Sequence, residues 1–356
     1  MYDIIIFILV GYILYKLSEF YNRYNNKDTW YNNNDLEHNV VMREEIENRG
    51  YIQTDSKQAK IFIPQDSKEL NDTVYYDYQI ILMVNDHNQF IHKDKLWKSL
   101  VNFYGREYAR RLMPTIYLVP KDYNLFKDEC NPNKHYILKK QNKLQDDTPI
   151  EKGDCLKITN IINNINEKMR GYPSEMITMV QEFENNTFTI NKHRLTLRVY
   201  MLIICQQNRK YFYIYDDGYI SYSKQAYDGQ NNYNTSIASL EHSEPFYKEY
   251  PMLLSDLDDY LDRQDLINKI IDLMNNVIPT LDIHVKSKWK YKNNLMAEIF
   301  SIDLILVKMK NKKNEQIIIP KLLKINNAPE MKPINQRDYI IKQELHSNVF
   351  DTLLPE

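Results

Sequence analysis

Glu298-Ile299-Phe300-Ser301-Ile302-Asp303-Leu304-Ile305-Leu306 and Leu322-Leu323-Lys324-Ile325-Asn326-Asn327-Ala328-Pro329 carry the reading of this chain. Each is an apolar run of strand length. Paired, they bring Asp303 and Asn326 toward one point, as an oxygen-ligand site for Mg²⁺ requires. Between them lies Lys324, a cation where a metal site wants a carboxylate.

Outward from that pair, composition sets the bounds. The chain has 356 residues and a formal net charge of -2, which gives no overall pull toward nucleic acid. Hydrophobic residues make up 43% and mean hydropathy is -0.60, the balance of a globular chain with a sizeable core. Cys130, Cys155 and Cys205 are far apart and form no CxxC pair, so they read as reduced thiols and not as a zinc site. Glycine numbers only 7, about a quarter of ordinary usage. That scarcity bears on function, because phosphate-cradling loops are built with glycine.

The N-terminus carries an uncharged apolar run from Ile4 to Tyr15. Extended to Tyr21 as a helix it would span roughly 27 Å, close to one hydrocarbon thickness. Lys16, Arg23 and Lys27 follow it and Asp3 precedes it, which places the following body in the cytosol. The reading is a membrane anchor over residues 1–21, with a buried or interfacial helix as the alternative. Residues 22–39 are Asn-rich and read as a linker, and 22–75 together as linker and N-terminal extension.

From Tyr76 the pattern firms. Strands are expected at Tyr78–Val84, Lys134–Lys140, Ile177–Phe183 and Arg194–Cys205, and helices at Asp94–Phe103, Ile158–Met169 and Leu254–Val277. Lys210–Tyr215 should pair with Arg194–Cys205, with Asp217-Gly218 a turn before Tyr219–Ser223. The subdomains read as 76–128, 129–184 and 185–356. Hairpins in the C-terminal half argue an α+β class.

These segments resemble, in order, the motifs of the tubulin tyrosine ligase-like family. Ile91-His92-Lys93-Asp94-Lys95-Leu96 resembles its Arg-Lys-Asp-x-Leu segment, and Met113 to Pro120 its PKTFxLP stretch. Tyr136-Ile137-Leu138-Lys139 is similar to WIxKP, and Val180-Gln181-Glu182-Phe183 to the VQxYI hinge. Lys192 to Tyr200 resembles KFDxRxY, and the terminal strand pair resembles FELxGxDxxxD…LLExNxxP. The resemblance covers about residues 80–331. It implies an ATP-grasp-like body of antiparallel sheets with flanking helices, here preceded by the N-terminal hydrophobic helix. It also implies ATP and Mg²⁺ as cofactors, and ligation through an acyl phosphate.

By resemblance, Lys93 and Lys139 would face ATP, and Gln181, Glu182 and Phe183 would meet the adenine edge. Read from the residues alone, Lys139 is equally a solvated strand-end lysine beside Lys140. Arg198 and Arg194 would hold a transferring phosphoryl group or substrate carboxylate. An arginine within a strand is costly without a partner, so Arg198 is expected to have one, catalytic or structural. Asp303 and Asn326 would bind metal.

Several positions depart from the family. The glycine-rich flap is replaced by Lys140 to Pro149, without glycine. Thr196 stands for an aspartate, Ser221 for an arginine and Lys324 for the metal glutamate. One Asp and one Asn beside an ammonium make a poor Mg²⁺ site. An Asp303–Lys324 cross-strand ion pair is the expected replacement. The leading expectation is a membrane-anchored, non-catalytic member that binds a protein partner, tubulin or another cytoskeletal or membrane-associated protein. The rival is an active ligase adding an amino acid to a protein carboxylate.

Overall fold

A computed structural model describes residues 12–18, 20–21, 24–32, 39–119, 121–131, 133–140, 147–149, 178–207, 209–227, 238–239, 245–285, 294–327 and 329–354. The strands are β1 (Thr29–Asn32), β2 (Ile52–Gln53), β3 (Ile61–Ile63), β4 (Ile80–Ile81), β5 (Ile116–Val119), β6 (His135–Lys140) and β7 (Asp147–Pro149). They continue as β8 (Thr178–Phe183), β9 (Thr189–Ile190), β10 (His193–Gln206), β11 (Arg209–Ser223), β12 (Ala238–Ser239), β13 (Leu295–Lys310) and β14 (Gln316–Asn327). Four helices matter below: α1 (Val40–Asn48), α2 (Lys93–Tyr104), α3 (Arg263–Asp282) and α4 (Gln336–Leu353).

The long C-terminal strands form the frame. β10 pairs antiparallel with both β11 and β13, and β13 with β14. Alternation along β10 separates two faces. Leu197, Val199, Met201 and Ile203 join Phe300, Ile302 and Leu304 in the main core, into which α3 inserts Leu266, Ile270, Met274 and Val277. The opposite face carries Arg198, Tyr200, Leu202 and Ile204. There Leu345, Val349 and Leu353 of α4 cover its far end. Both long helices start on side-chain caps: Asp262 accepts from the Asp265 amide at 2.9 Å, and Asn335 from the Asp338 amide at 3.0 Å.

The N-terminal third extends this sheet in the parallel sense. β4 lies beside β13, and β3, β1 and β2 follow. The expectation of antiparallel sheets therefore holds for the long C-terminal strands and for the second sheet, but not for this N-terminal extension. The parallel strands are short, and buried apart from the edge strand β2; Ile61-Phe62-Ile63 reads as a continuous apolar run that carries no pairing direction. A second sheet has the order β5-β8-β6-β7.

Two expectations are corrected here. The Asn-rich stretch is not only linker: β1 enters the sheet between β2 and β3, with Trp30 fully buried. Asp217-Gly218 is not a turn, because β11 runs unbroken through it; the register slips between Val199 and Met201 instead. At the N-terminus, residues 12–18 are helical with exposed side chains. Among the described residues no helix is long and apolar enough to cross a membrane. Residues 1–11, the flap and Ile158–Met169 lie outside the described residues. Cys130 and Cys205 are free thiols, as expected.

Candidate functional site

The register of the three long strands assembles the centre. Arg198 of β10 lies directly across from Asp303 of β13, and Asp303 from Lys324 of β14. Two residues along, Tyr200 faces Ser301, and Ser301 faces Asn326. All of these side chains therefore share one face of the sheet.

Asp303 is 7% exposed and is held from three sides. Arg198 Nε donates to Oδ1 at 2.8 Å and Nη2 to Oδ2 at 3.1 Å, a bidentate pair. Asn326 Nδ2 donates to Oδ2 at 3.3 Å and to Ser301 Oγ at 3.1 Å. Lys324 Nζ stands 4.0 Å from Oδ2. Burial works against the Arg198 charge, but the Asp303 carboxylate outweighs it and holds the guanidinium above the usual arginine range.

The expected Asp303–Lys324 pair is thus a secondary contact. Asp303's main partner is Arg198, the residue expected to hold substrate. The metal test fails on the same geometry. Both Asp303 oxygens are already engaged by Arg198, Asn326 presents its amide group to the carboxylate, and Lys324 adds a second cation. A divalent ion would have to displace the guanidinium and tolerate the ammonium. The donor set does not fit Mg²⁺.

Arg194 does not join this centre. It is 6% exposed at the start of β10, with Nη1 donating to the Glu184 carbonyl at 3.0 Å and to Thr187 Oγ1 at 3.3 Å. Its guanidinium lies 4.5 Å from the Phe183 ring centroid and 5.5 Å from that of Tyr227. Burial pushes its pKa below the ordinary arginine value, with Tyr227 opposing. Together with Asn133, His135, Asn185, Thr187, Thr189 and Tyr227 it lines a polar cleft of about 440 Å³.

The hinge residues Gln181, Glu182 and Phe183 follow one another on β8, and each has partners within the protein. Gln181 is buried, and Lys93 Nζ donates to its Oε1 at 3.2 Å. Glu182 pairs with Lys134, and its amide donates to the Thr115 carbonyl at 2.8 Å. Phe183 lies across from His135, which bonds Asn185 at 2.7 Å. Glu184 pairs with Lys321 of β14. Lys139 lies opposite Met179 within the second sheet, and its side chain is outside the described residues.

Sequence reading missed Ser301, Tyr200, Thr187 and Gly218. The first two were legible in principle, standing two residues from Asp303 and Arg198 and so on the same face. Gly218 is needed sterically: a Cβ there would meet the Arg198 carbonyl oxygen at 2.3 Å. Its close approach lets β11 pack against the strand that carries Arg198.

Comparison with known proteins bears on this arrangement. The sequence model of the tubulin-tyrosine ligase family matches residues 68–356. The chain is 21% identical over 327 residues to "Probable alpha-tubulin polyglutamylase Ttll1" of Tetrahymena thermophila, covering 83% of this chain and 76% of that protein. It is 24% identical over 350 residues to "Tubulin polyglutamylase ttll-4" of Caenorhabditis briggsae, covering 91% of this chain and 54% of the relative.

Proposed function

Because this chain belongs to the tubulin-tyrosine ligase family, we propose that it is a ligase-fold protein that binds a cytoskeletal protein partner without ligating it. One observation carries the reading: both oxygens of Asp303 are consumed by Arg198. In the expected chemistry these two groups act on opposite charges, Asp303 on a cation and Arg198 on an anion. Bonded to each other, they neutralise the charges that phosphoryl transfer would use. Lys324 in place of the expected glutamate, the altered Thr196 and Ser221 positions and the glycine-free flap point the same way. Tubulin is the proposed partner, since the relatives are named for it.

Isothermal titration with Mg·ATP, followed by a turnover assay on a glutamate-rich peptide, tests this. The expected result is no magnesium-dependent binding and no product. Micromolar, magnesium-dependent binding with product formation overturns it and establishes the second reading, an active ligase that adds an amino acid to a protein carboxylate. The relatives' names favour that reading, as does the presence of Arg198, Asp303 and Asn326 on one face.

We further propose, from sequence, that residues 4–21 hold the protein at a membrane with its body in the cytosol. Membrane fractionation of the full chain against a chain starting at Lys27 checks it. Recovery of both in the soluble fraction rejects the anchor.

A further inference from the structure

Three of the parallel strands end at one cavity. Asn32 closes β1, Ile63 closes β3 and Leu82 follows directly on β4, and all three line it. Leu202 of β10 extends the sheet side, and His346 and Val349 of α4 cover it. The cavity holds about 310 Å³. Small-molecule sites are mostly apolar hollows of this size and larger, with a few placed polar groups. The carboxyl ends of parallel strands are also where open α/β sheets place ligands. Arg198, Asp303 and Lys324 do not line this cavity.

His346 indicates what the cavity takes. The residue is fully buried, and its Nδ1 bonds the Lys342 carbonyl of its own helix at 2.7 Å. A carbonyl only accepts, so Nδ1 carries the proton. Burial lowers the pKa of the ring to about 4, which keeps it uncharged at neutral pH. Nε2 is therefore a bare acceptor on the side of the ring away from the helix backbone, and it is buried without a hydrogen-bond partner. Leaving such an atom unpaired is unfavourable, and buried polar groups in native proteins normally find a partner. The rest of the wall sets the character of that partner. Among the described residues, no lysine or arginine lines the cavity. Glu298 is the one carboxylate among the described lining residues, and its Oε2 accepts from the Val84 amide at 2.8 Å and lies 3.0 Å from His87 Nδ1.

We propose that this cavity binds a small, uncharged, apolar molecule carrying one hydroxyl, whose O–H donates to His346 Nε2. The hydroxyl supplies the partner this nitrogen lacks, and the apolar body fills the space between α4 and the strand ends. A carboxylate or phosphate is disfavoured twice: it brings a charge that meets no cation on the wall, and when ionised it has no proton to give a bare acceptor. An ether of similar shape suits the walls but leaves Nε2 unpaired. The site shares no charged group with the Asp303 centre, so it stands whether or not that centre binds nucleotide.

Isothermal titration of the full chain with 4-butylphenol, 4-butylanisole and 4-butylbenzoate at neutral pH tests it. The phenol is expected to bind saturably, one per chain, with a dissociation constant below about 1 mM. The ether cannot donate and should bind at least about tenfold more weakly, and the benzoate more weakly still. His346→Phe keeps a ring but removes the acceptor, so the phenol should fall to the affinity of the ether. Leu82→Trp and, separately, Met83→Trp each bring an indole to the cavity from a half-buried lining position, and should abolish phenol binding while keeping a cooperative melt. The three probes on the wild-type chain decide the matter even where a variant fails to fold. No saturable phenol binding, equal affinity for phenol and ether, tightest binding by the benzoate, or phenol binding unchanged in folded His346→Phe or in the folded tryptophan variants each overturn the proposal.

Discussion

Arg194 and Arg198 stand four residues apart on the same face of β10, both largely buried, and their surroundings make them opposites. Arg198 meets a carboxylate squarely and is held above the ordinary arginine pKa. The described contacts of Arg194 are a carbonyl, a hydroxyl and two aromatic rings, and burial lowers its pKa. The same residue type therefore closes one region and lines an open polar cleft in the other. A buried guanidinium reports on function through what it faces, not through its position in a motif.

The sharpest way to break this contrast is Arg198→Met. It leaves the Asp303 carboxylate buried with Asn326 and the more distant Lys324, so a loss of about 3–5 kcal/mol is expected. Chemical denaturation measures it. The double variant Arg198→Met/Asp303→Leu should recover most of that loss, because no unpaired charge remains. If Arg198→Met melts like wild type, the pair is not structural, and Arg198 is free to serve a substrate.

Arg194→Met should cost less, about 1.5–3 kcal/mol. It removes charge-assisted hydrogen bonds, and the described partners it strands are the neutral Glu184 carbonyl and Thr187 hydroxyl, while the Met stem still packs over Phe183. The two substitutions should therefore differ in size even though both delete a buried cation. Equal losses in parallel denaturant titrations would show that carboxylate pairing is not what separates the two sites.

Gly218→Ala probes the frame beneath Arg198. Its Cβ would meet the Arg198 carbonyl oxygen, so β11 must back away from β10 at a cost of about 1–3 kcal/mol. Combined with Arg198→Met, it should add less than its full separate effect, since both disturb one backbone position. Strict additivity would place the strain elsewhere.

The contrast also marks what was legible in the sequence. Asp303, Asn326 and Lys324 share one face as expected, because period-two alternation and hairpin pairing are local rules that long apolar runs obey. Which of them would pair was not legible. Lys324 is nearest in the hairpin, but the register of β10 against β13 is a non-local fact, and it gives Asp303 to Arg198. Arg194 failed as a partner for Arg198 because four residues along a strand is about 13 Å. The strand at Tyr78–Val84 was expected and holds β4, but the parallel pairing of β1 to β4 escaped for a different reason: two to four residues carry too little periodicity to name a partner or a direction. Trp30 and Tyr31, apolar within a polar stretch, were the available signal for β1.

The smallest expected effect is the most pointed. Lys324→Glu restores the acid that the family pattern expects, at a side chain that is 44% exposed. A partly exposed charge 4.0 Å from its neighbour contributes little, so stability should change by about 1 kcal/mol or less. The informative readout is the melting temperature with and without Mg·ATP. A true metal site would gain a ligand from this substitution and lose a repelling cation, two changes in the same favourable direction. Arg198 would still occupy both Asp303 oxygens, so no magnesium-dependent rise is expected in Lys324→Glu alone. Should Mg·ATP raise the melting temperature of this variant, then Arg198 releases Asp303 readily, and Lys324 alone keeps the site shut. If nothing changes until Arg198 is also replaced, the closure belongs to the arginine, and the lysine arrived on a site already lost.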